Sequence, residues 1–408
     1  MNCRFCNASL THVFVDLNEA PPSNSFLSNK DLQKAETWYP LKLFVCEKCF
    51  LVQVAEYKKA VEIFSSDYVY FSSYSSTWLA HAKRYTDMMI ERFGYNLHSL
   101  VVEIASNDGY LLQYFNENNI PVLGIEPTLS TASVAREKGI ESITEFFGIS
   151  LAKELASANR KADLLLGNNV LAHVPDLNDF IGGMKIILKE DGVITMEFPH
   201  LLQLVKNNQF DTIYQEHFSY LSFTTVQSIF KKHGLMLFDV EEISTHGGSL
   251  RIFAKHQEDK SKKVSGNISQ MLEMEKAEGI TELSYYNGFQ QKVEKIKSDF
   301  LNFLKTQHAT GKKVVAYGAA AKGNTLFNFC GVRNDIISYV VDASPHKQGK
   351  YLPGSHIPVV NEAELLTSHP DFILVLPWNI KDEIMQQLSY VRDWNCRFVI
   401  AIPSLQII

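Results

Sequence analysis

Between about residues 98 and 256 the chain alternates short, almost wholly apolar runs with stretches of helical periodicity. Residues 100–105 (LVVEIA), 121–126 (PVLGIE), 162–166 (ADLLL) and 192–197 (GVITME) read as strands covered on both faces. Residues 110–118 and 131–138 have the spacing of amphipathic helices in the gaps. This order predicts an open, doubly wound parallel sheet. Residues 235–242 and 249–254 add a closing strand pair. Residues 257–309 are rich in Lys, Glu and Gln around a thin apolar stripe, as expected of a helical connector. A second α/β unit opens at 312–318 (KKVVAYG), with further strands at 337–342, 372–376 and 397–401.

Composition narrows the classes. Hydrophobic residues make up 46% and charged residues 21% of the 408, which excludes disordered, collagenous and coiled-coil chains. A net charge of −6 argues against a protein that coats nucleic acid. Apolar runs such as 372–376 are far shorter than the ~18 residues of a membrane span, and M-N-C-R-F-C at the start has no apolar leader core. The expectation is a soluble, cytoplasmic, monomeric protein with no nucleic-acid or membrane partner.

Four of the six cysteines form two C-x-x-C pairs, Cys3/Cys6 and Cys46/Cys49. Two such knuckles supply the four thiolates of a tetrahedral zinc site with no position left for water, so the metal would be structural. A redox pair is the alternative. Residues 1–72 then form a small metal-stapled domain, followed by the α/β domain at 73–256, the connector at 257–309 and the C-terminal domain at 310–408. The Ser- and Tyr-rich stretch 64–74 is either a polar loop or a lid offering phenol hydroxyls.

Candidate chemistry sits at the strand ends. The first strand runs into E-I-A-S-N-D-G (103–109), a turn of small residues that lets a ligand approach the sheet edge; Glu103, Ala105, Ser106, Asn107 and Gly109 are its candidate contacts. It is not G-x-G-x-x-G, so a dinucleotide fingerprint is poorly supported. Glu126 ends the second strand, where a carboxylate can take a ribose diol or simply end a strand. Asn168 and Asn169 open the polar segment N-N-V-L-A-H-V-P-D. These three features in this order resemble the S-adenosylmethionine (SAM) fold. Y-Q-E-H-F-S-Y (214–220) places a His beside a carboxylate, the makings of a general base at neutral pH or of a polar helix start. H-G-G-S-L-R (246–251) is a flexible turn able to bring backbone amides against a phosphate or sugar.

In the C-terminal unit, Y-G-A-A-A-K-G-N-T (317–325) is nearly a Walker A loop, but Asn324 replaces the essential Lys and Lys322 precedes the second Gly. ATP hydrolysis is not expected; a diphosphate cradle is. Lys322, Asn324 and Asp342 are candidate substrate contacts, Asp342 either for a ribose or as a turn cap.

Taken together, the two C-x-x-C pairs, E-I-A-S-N-D-G-Y-L-L, N-N-V-L-A-H-V-P-D, Y-Q-E-H-F-S-Y and H-G-G-S-L-R make the whole chain resemble the three-domain deoxysugar C-methyltransferases. The resemblance implies a zinc-binding domain, a class I methyltransferase domain of doubly wound α/β type, and a C-terminal Rossmann-like domain that contacts the nucleotide half of the substrate. One departure is Ala105, where the family has Gly. Family members methylate a carbon, typically C3, of a nucleotide-linked 4-keto-deoxysugar. The resemblance implies His217 as base with Glu216 and Tyr214 beside it. His173 is then the donor to the keto oxygen or a second proton handler, and Tyr70 positions the sugar, with Tyr68 and Tyr74 as alternatives. The competing classes are an NAD(P)-dependent nucleotide-sugar oxidoreductase, against which the chain's lack of both G-x-G-x-x-G and Y-x-x-x-K counts, and a zinc-ribbon adaptor, which has no need of the Tyr-Glu-His segment.

Overall fold

The computed structural model describes residues 1–59, 62 and 71–408, organised around three sheets. Strands β4 (Val101–Ile104), β5 (Val122–Ile125), β6 (Ser142–Ile143), β7 (Ala162–Asn168), β8 (Leu188–Pro199), β10 (Leu235–Ile243) and β11 (Ser249–His256) form the central sheet in the order β10-β11-β8-β7-β4-β5-β6. Numbered within the domain and read from β6, this is 3-2-1-4-5-7-6 with only β11 reversed, the class I methyltransferase arrangement. Val101, Val102, Leu164, Leu165, Leu166 and Ile194 are all buried, which explains the unbroken apolar runs of the parallel strands. The strand order reverses between β4 and β7, and the carboxyl ends there open a crevice.

The C-terminal sheet contains β12 (Val314–Tyr317), β13 (Val340–Val341), β14 (Val359–Val360), β15 (Phe372–Val375), β16 (Arg397–Ile400) and β17 (Gln406–Ile407), in the order β14-β13-β12-β15-β16-β17. All neighbours are parallel except β17 on β16. The strand expected over 337–342 shrinks to Val340–Val341, because only those two residues pair with β12.

The N-terminal sheet was least legible from the pattern. β1 (His12–Ala20), β2 (Tyr39–Val45) and β3 (Val52–Val54) form an antiparallel meander, and β9 (Ser219–Tyr220), which directly follows His217 and Phe218, adds the fourth strand. The metal-stapled region is therefore completed by chain from the methyltransferase domain. Its first knuckle docks there too: Arg4 donates to the Pro175 carbonyl at 2.9 Å, and Asn178 donates to the Arg4 and Phe5 carbonyls at 3.1 Å each.

The connector is helical as expected, with helices Gly266–Glu278 and Phe289–Ala309, yet it is no mere spacer. Phe289, Val293, Ile296, Phe300 and Phe303 lie on one face and are buried against both terminal modules, and the Phe289 ring stacks on Phe14 at 4.7 Å. Each such apolar side chain contributes about 1.5–3 kcal/mol on burial, so this helix welds the N- and C-terminal parts together. No helix among the described residues is long and apolar enough to cross a membrane.

Candidate functional site

A single cavity of about 1160 Å³ runs along the carboxyl edge of the central sheet and on to the loops of the C-terminal sheet. Sites for one small ligand span about 300–1,000 Å³, so this one has room for two ligands. Its lining includes Ala105, Asn107, Glu126, Asn168 and Asn169 at one end, and Lys322, Asp342 and Lys347 from the C-terminal domain. Tyr214, Glu216, His217 and His173 line the same cavity.

At the first end, Ala105 and Asn107 both adopt left-handed backbone, φ 57° and 51°. Ala105 thus occupies a conformation that suits glycine, with its methyl at the cavity wall. The Glu126 carboxylate accepts from the backbone N–H groups of Asn107 at 3.0 Å and Thr128 at 2.8 Å, which fixes it beneath the turn with lone pairs to spare for a diol. Burial raises the Glu126 carboxyl against these hydrogen bonds. The Nδ2 and Oδ1 atoms of Asn168 are buried without a hydrogen-bond partner, which suits a polar ligand at this edge.

Three expected cofactor contacts are not brought to the cavity. Glu103 is fully buried in β4 behind the wall, where burial pushes its carboxyl well above the usual range against the pull of the Tyr110 hydroxyl. Ser106 packs against Gly124, where a Cβ would meet its Oγ at 2.4 Å. Gly109 packs under Ile140 and Ala135 at φ 73° and shapes the turn from behind. Of the turn, Ala105 and Asn107 line the cavity, while Ser106 and Gly109 pack behind it.

The Tyr-Glu-His segment folds as a tight loop before β9. His217 Nδ1 donates to the Thr212 carbonyl at 3.0 Å, so in the neutral ring Nε2 carries the lone pair and accepts from the Tyr214 hydroxyl at 2.8 Å. Burial first, and then nearby His173, push the His217 imidazolium well below its ordinary value. His173 Nδ1 donates to the Glu216 carbonyl at 2.9 Å, its ring 4.6 Å from that of His217, and burial lowers it to about 4. The neutral His173 ring therefore presents an accepting Nε2. Glu216 is not beside the imidazole through its carboxylate, which turns instead to Asn24. Tyr70 and Tyr68 lie outside the described residues. Tyr74 lines the cavity and its hydroxyl meets His346 at 3.2 Å.

One amide of the H-G-G turn is taken up within the turn itself. Gly248 N–H is spent on Thr245, and a Cβ on Gly247 would strike the Trp378 ring at 2.4 Å. These glycines let the C-terminal domain sit close. What the turn offers instead is His246, φ 54°, whose Nε2 accepts from Asn169 at 2.9 Å. Residue type and spacing do not single out this side chain, because its place at the cavity depends on the left-handed turn.

From the C-terminal domain, Lys322 lines the cavity with its ammonium 4.2 Å from the Trp378 ring centre; burial lowers it to about 8. Asp342 lines it too, while accepting from Ala319 N–H at 2.8 Å and Ser344 N–H at 2.9 Å, so the carboxylate shapes the Gly318 loop. Asn324, expected to contact substrate, is buried with its amide on the Ser23 carbonyl at 2.5 Å and faces the N-terminal module.

The Sγ atoms of Cys3, Cys6, Cys46 and Cys49 lie within 4.8 Å of one another, with Cys3–Cys49 and Cys6–Cys46 at 3.5 Å and no disulfide. Zinc–thiolate bonds of about 2.3 Å put tetrahedral sulfurs about 3.8 Å apart, so this donor set fits zinc.

Family comparisons agree with this layout. The model described as "Putative zinc binding domain" matches residues 3–64, "Methyltransferase domain" 78–240, and "C-methyltransferase C-terminal domain" 244–403. The chain is 33% identical over 406 residues to the C-methyltransferase NovU of Streptomyces niveus, covering 100% of this chain and 96% of that one. Solved structures with similarity include the PH0226 protein of Pyrococcus horikoshii (16% identity, 49% of this chain and 99% of that one, TM-score 0.39). Another is the magnesium protoporphyrin IX methyltransferase ChlM of Synechocystis (14%, 43% and 82%, TM-score 0.34). With its zinc-binding, methyltransferase and C-terminal modules in this order, the chain belongs to the SAM-dependent C-methyltransferase family.

Proposed function

We propose that the acceptor is a nucleotide-linked 4-keto-deoxysugar and that the methyl group of SAM goes to a carbon beside the ketone, C3. The observation that carries this reading is the continuity of the cavity, which takes in Glu126 and the Asn168 edge, the His217 loop, and Lys322 with Asp342. SAM supplies an electrophilic methyl group. Ala105, Asn107, Glu126, Asn168 and Asn169 hold it, with Glu126 on the ribose hydroxyls. Lys322 and Lys347 suit a diphosphate beside the Gly318 loop, and a cationic pair there would fix the nucleotide end.

A carbon beside a ketone loses its proton when a base takes it and the resulting enolate is stabilised. His217 Nε2 takes the proton through the Tyr214 hydroxyl that already donates to it: Tyr214 passes its own proton to Nε2 as it receives one from the carbon, while the Thr212 carbonyl holds the proton on Nδ1. SAM held at this edge would give up its methyl group to the nucleophilic carbon as the S–CH3 bond breaks, with S-adenosylhomocysteine as the leaving group. His173 serves as the second proton handler rather than the enolate donor, since its neutral form presents a lone pair. Tyr70 is proposed to position the sugar.

The test is incubation with SAM and a panel of nucleotide-linked 4-keto sugars, read by mass spectrometry for the gain of one methylene. Deuterium wash-in beside the ketone, with demethylated SAM present, isolates proton removal. His217→Asn should lose wash-in by about 10²–10⁴-fold while binding both ligands. Normal wash-in in His217→Asn together with its loss in His173→Asn would transfer the role of base to His173.

A further inference from the structure

The Glu216 carboxylate is held from outside its own domain. Both of its oxygens accept from the side-chain amide of Asn24, at 2.8 Å each, and Glu216 is 3% exposed at the cavity wall. Asn24 belongs to the N-terminal metal-binding module, in the stretch that follows β1, and itself lines the cavity.

That stretch is anchored on two sides. Gln215 donates to the Ala20 carbonyl at 2.9 Å from the methyltransferase side, and Asn324 bonds the Ser23 carbonyl from the C-terminal side. Leu27 exchanges backbone hydrogen bonds with Tyr351 at 2.9 and 2.8 Å. Order of this kind costs conformational entropy of about 1–2 kcal/mol per residue, and anchors at both flanks hold Asn24 where it is.

We propose that Asn24 is a positioning residue for methyl transfer, fixing the Glu216 carboxylate as an acceptor for a hydroxyl group of the bound substrate. The proposal rests on the sugar-substrate reading above. A carboxylate has about four acceptor positions, so the Asn24 contacts leave room for a hydroxyl. A protonated carboxyl would present a donor in its place.

Asn24 decides between these two states. Burial raises the Glu216 carboxyl to about 7 even against the pull of the Asn24 amide and the charge of Lys58, so both states are populated near neutrality. His173 meets the Glu216 backbone, and His173 and His217 are neutral in this range. Without the Asn24 amide the carboxyl moves further up and the protonated form predominates at neutral pH.

The experiment compares Asn24→Ala and Asn24→Asp in the full-length, zinc-loaded protein. Zinc content and calorimetric SAM affinity should match wild type. In Asn24→Ala, KM for the sugar nucleotide at pH 7 should rise about ten-fold, and the acidic limb of kcat/KM should move up by about one pH unit. The KM should recover at higher pH, which a merely structural role does not produce. Asn24→Asp, nearly isosteric but with a second carboxylate, should move the limb further. Unmoved KM and unmoved limb in both variants overturn the proposal. The infrared carboxyl band that Glu216→Gln removes reports its titration directly and needs no substrate. If wild type methylates no keto sugar, the substrate reading fails. The band then still decides for Asn24: a titration displaced upward in Asn24→Ala upholds its hold on Glu216, and an unchanged one overturns it.

Discussion

Asn107 and Glu126 are joined backbone to side chain: the Asn107 N–H donates to the Glu126 carboxylate at 3.0 Å, and so the second strand's end holds the turn after the first. Glu126 consequently shapes the turn, and on the proposed reading it also meets SAM. Glu126→Ala should weaken SAM by ten-fold or more, since a hydrogen bond to a charged acceptor contributes about 1.5–3 kcal/mol. It should also lower stability without ligand by about 1–3 kcal/mol, because two buried N–H groups lose their acceptor. Glu126→Gln keeps one acceptor oxygen and should lose less of both. Calorimetry and denaturant midpoints separate the effects; a stability loss at unchanged SAM affinity would leave Glu126 with the structural task alone.

Cys3→Ser and Cys46→Ser test the metal centre from opposite knuckles. Each should lose stoichiometric zinc and melt at lower temperature, since a structural metal contributes directly to folding. Metal content by atomic absorption and thermal unfolding are the readouts. Full zinc retention in both variants would refute the four-thiolate assignment.

Ala105→Gly asks what the left-handed alanine costs. A non-glycine residue in this conformation carries about 1–3 kcal/mol of strain. Glycine in turn costs about 0.4–1 kcal/mol through the greater freedom of the unfolded chain. Relief exceeds cost, so the variant should be more stable by about 1 kcal/mol, with SAM affinity equal or higher. A lower denaturant midpoint would show the position to be unstrained.

The buried imidazoles set an acid limit. His173 and His246 are lowered to about 4, and His217 is pushed below its ordinary value, in each case chiefly by burial. Below about pH 6.5 the unfolded chain binds protons that the folded chain refuses, so their stability is full above that value and lost as pH falls towards 4. For His173 the loss reaches roughly 3 kcal/mol. Glu216, raised to about 7, works in the opposite sense: its contribution is full below about 4.5 and lost as pH rises through 7. His173→Asn should flatten the acid fall in denaturant midpoint and Glu216→Gln should steepen it. Parallel profiles for all three proteins would contradict these environments.

The legible and illegible parts of the chain divide along physical lines. Both parallel sheets were readable because runs such as residues 164–166 or Phe372–Val375 must be apolar on two faces, whatever lies around them. Glu126 and His217 announced themselves through residue type and place. Asn24 did not: an Asn after a strand is ordinary turn chemistry, and its value comes from contact with a residue 192 positions away. Asn324 misled for the same reason, since a Walker-like spacing shows where a side chain sits in the loop and not which neighbouring domain it meets.

β9 pairs Tyr220 with Val52 and Ser219 with Gln53. During synthesis, the N-terminal sheet therefore remains unfinished for roughly 170 residues of further elongation, at about 5–20 residues per second. For that interval the outer edge of Val52–Val54 presents unpaired backbone groups, the kind of edge that recruits stray strands. The strand that finally covers it arrives two residues after His217 and brings that cavity-lining loop with it. Completion of the cavity wall and protection of the nascent chain from aggregation are thus one event.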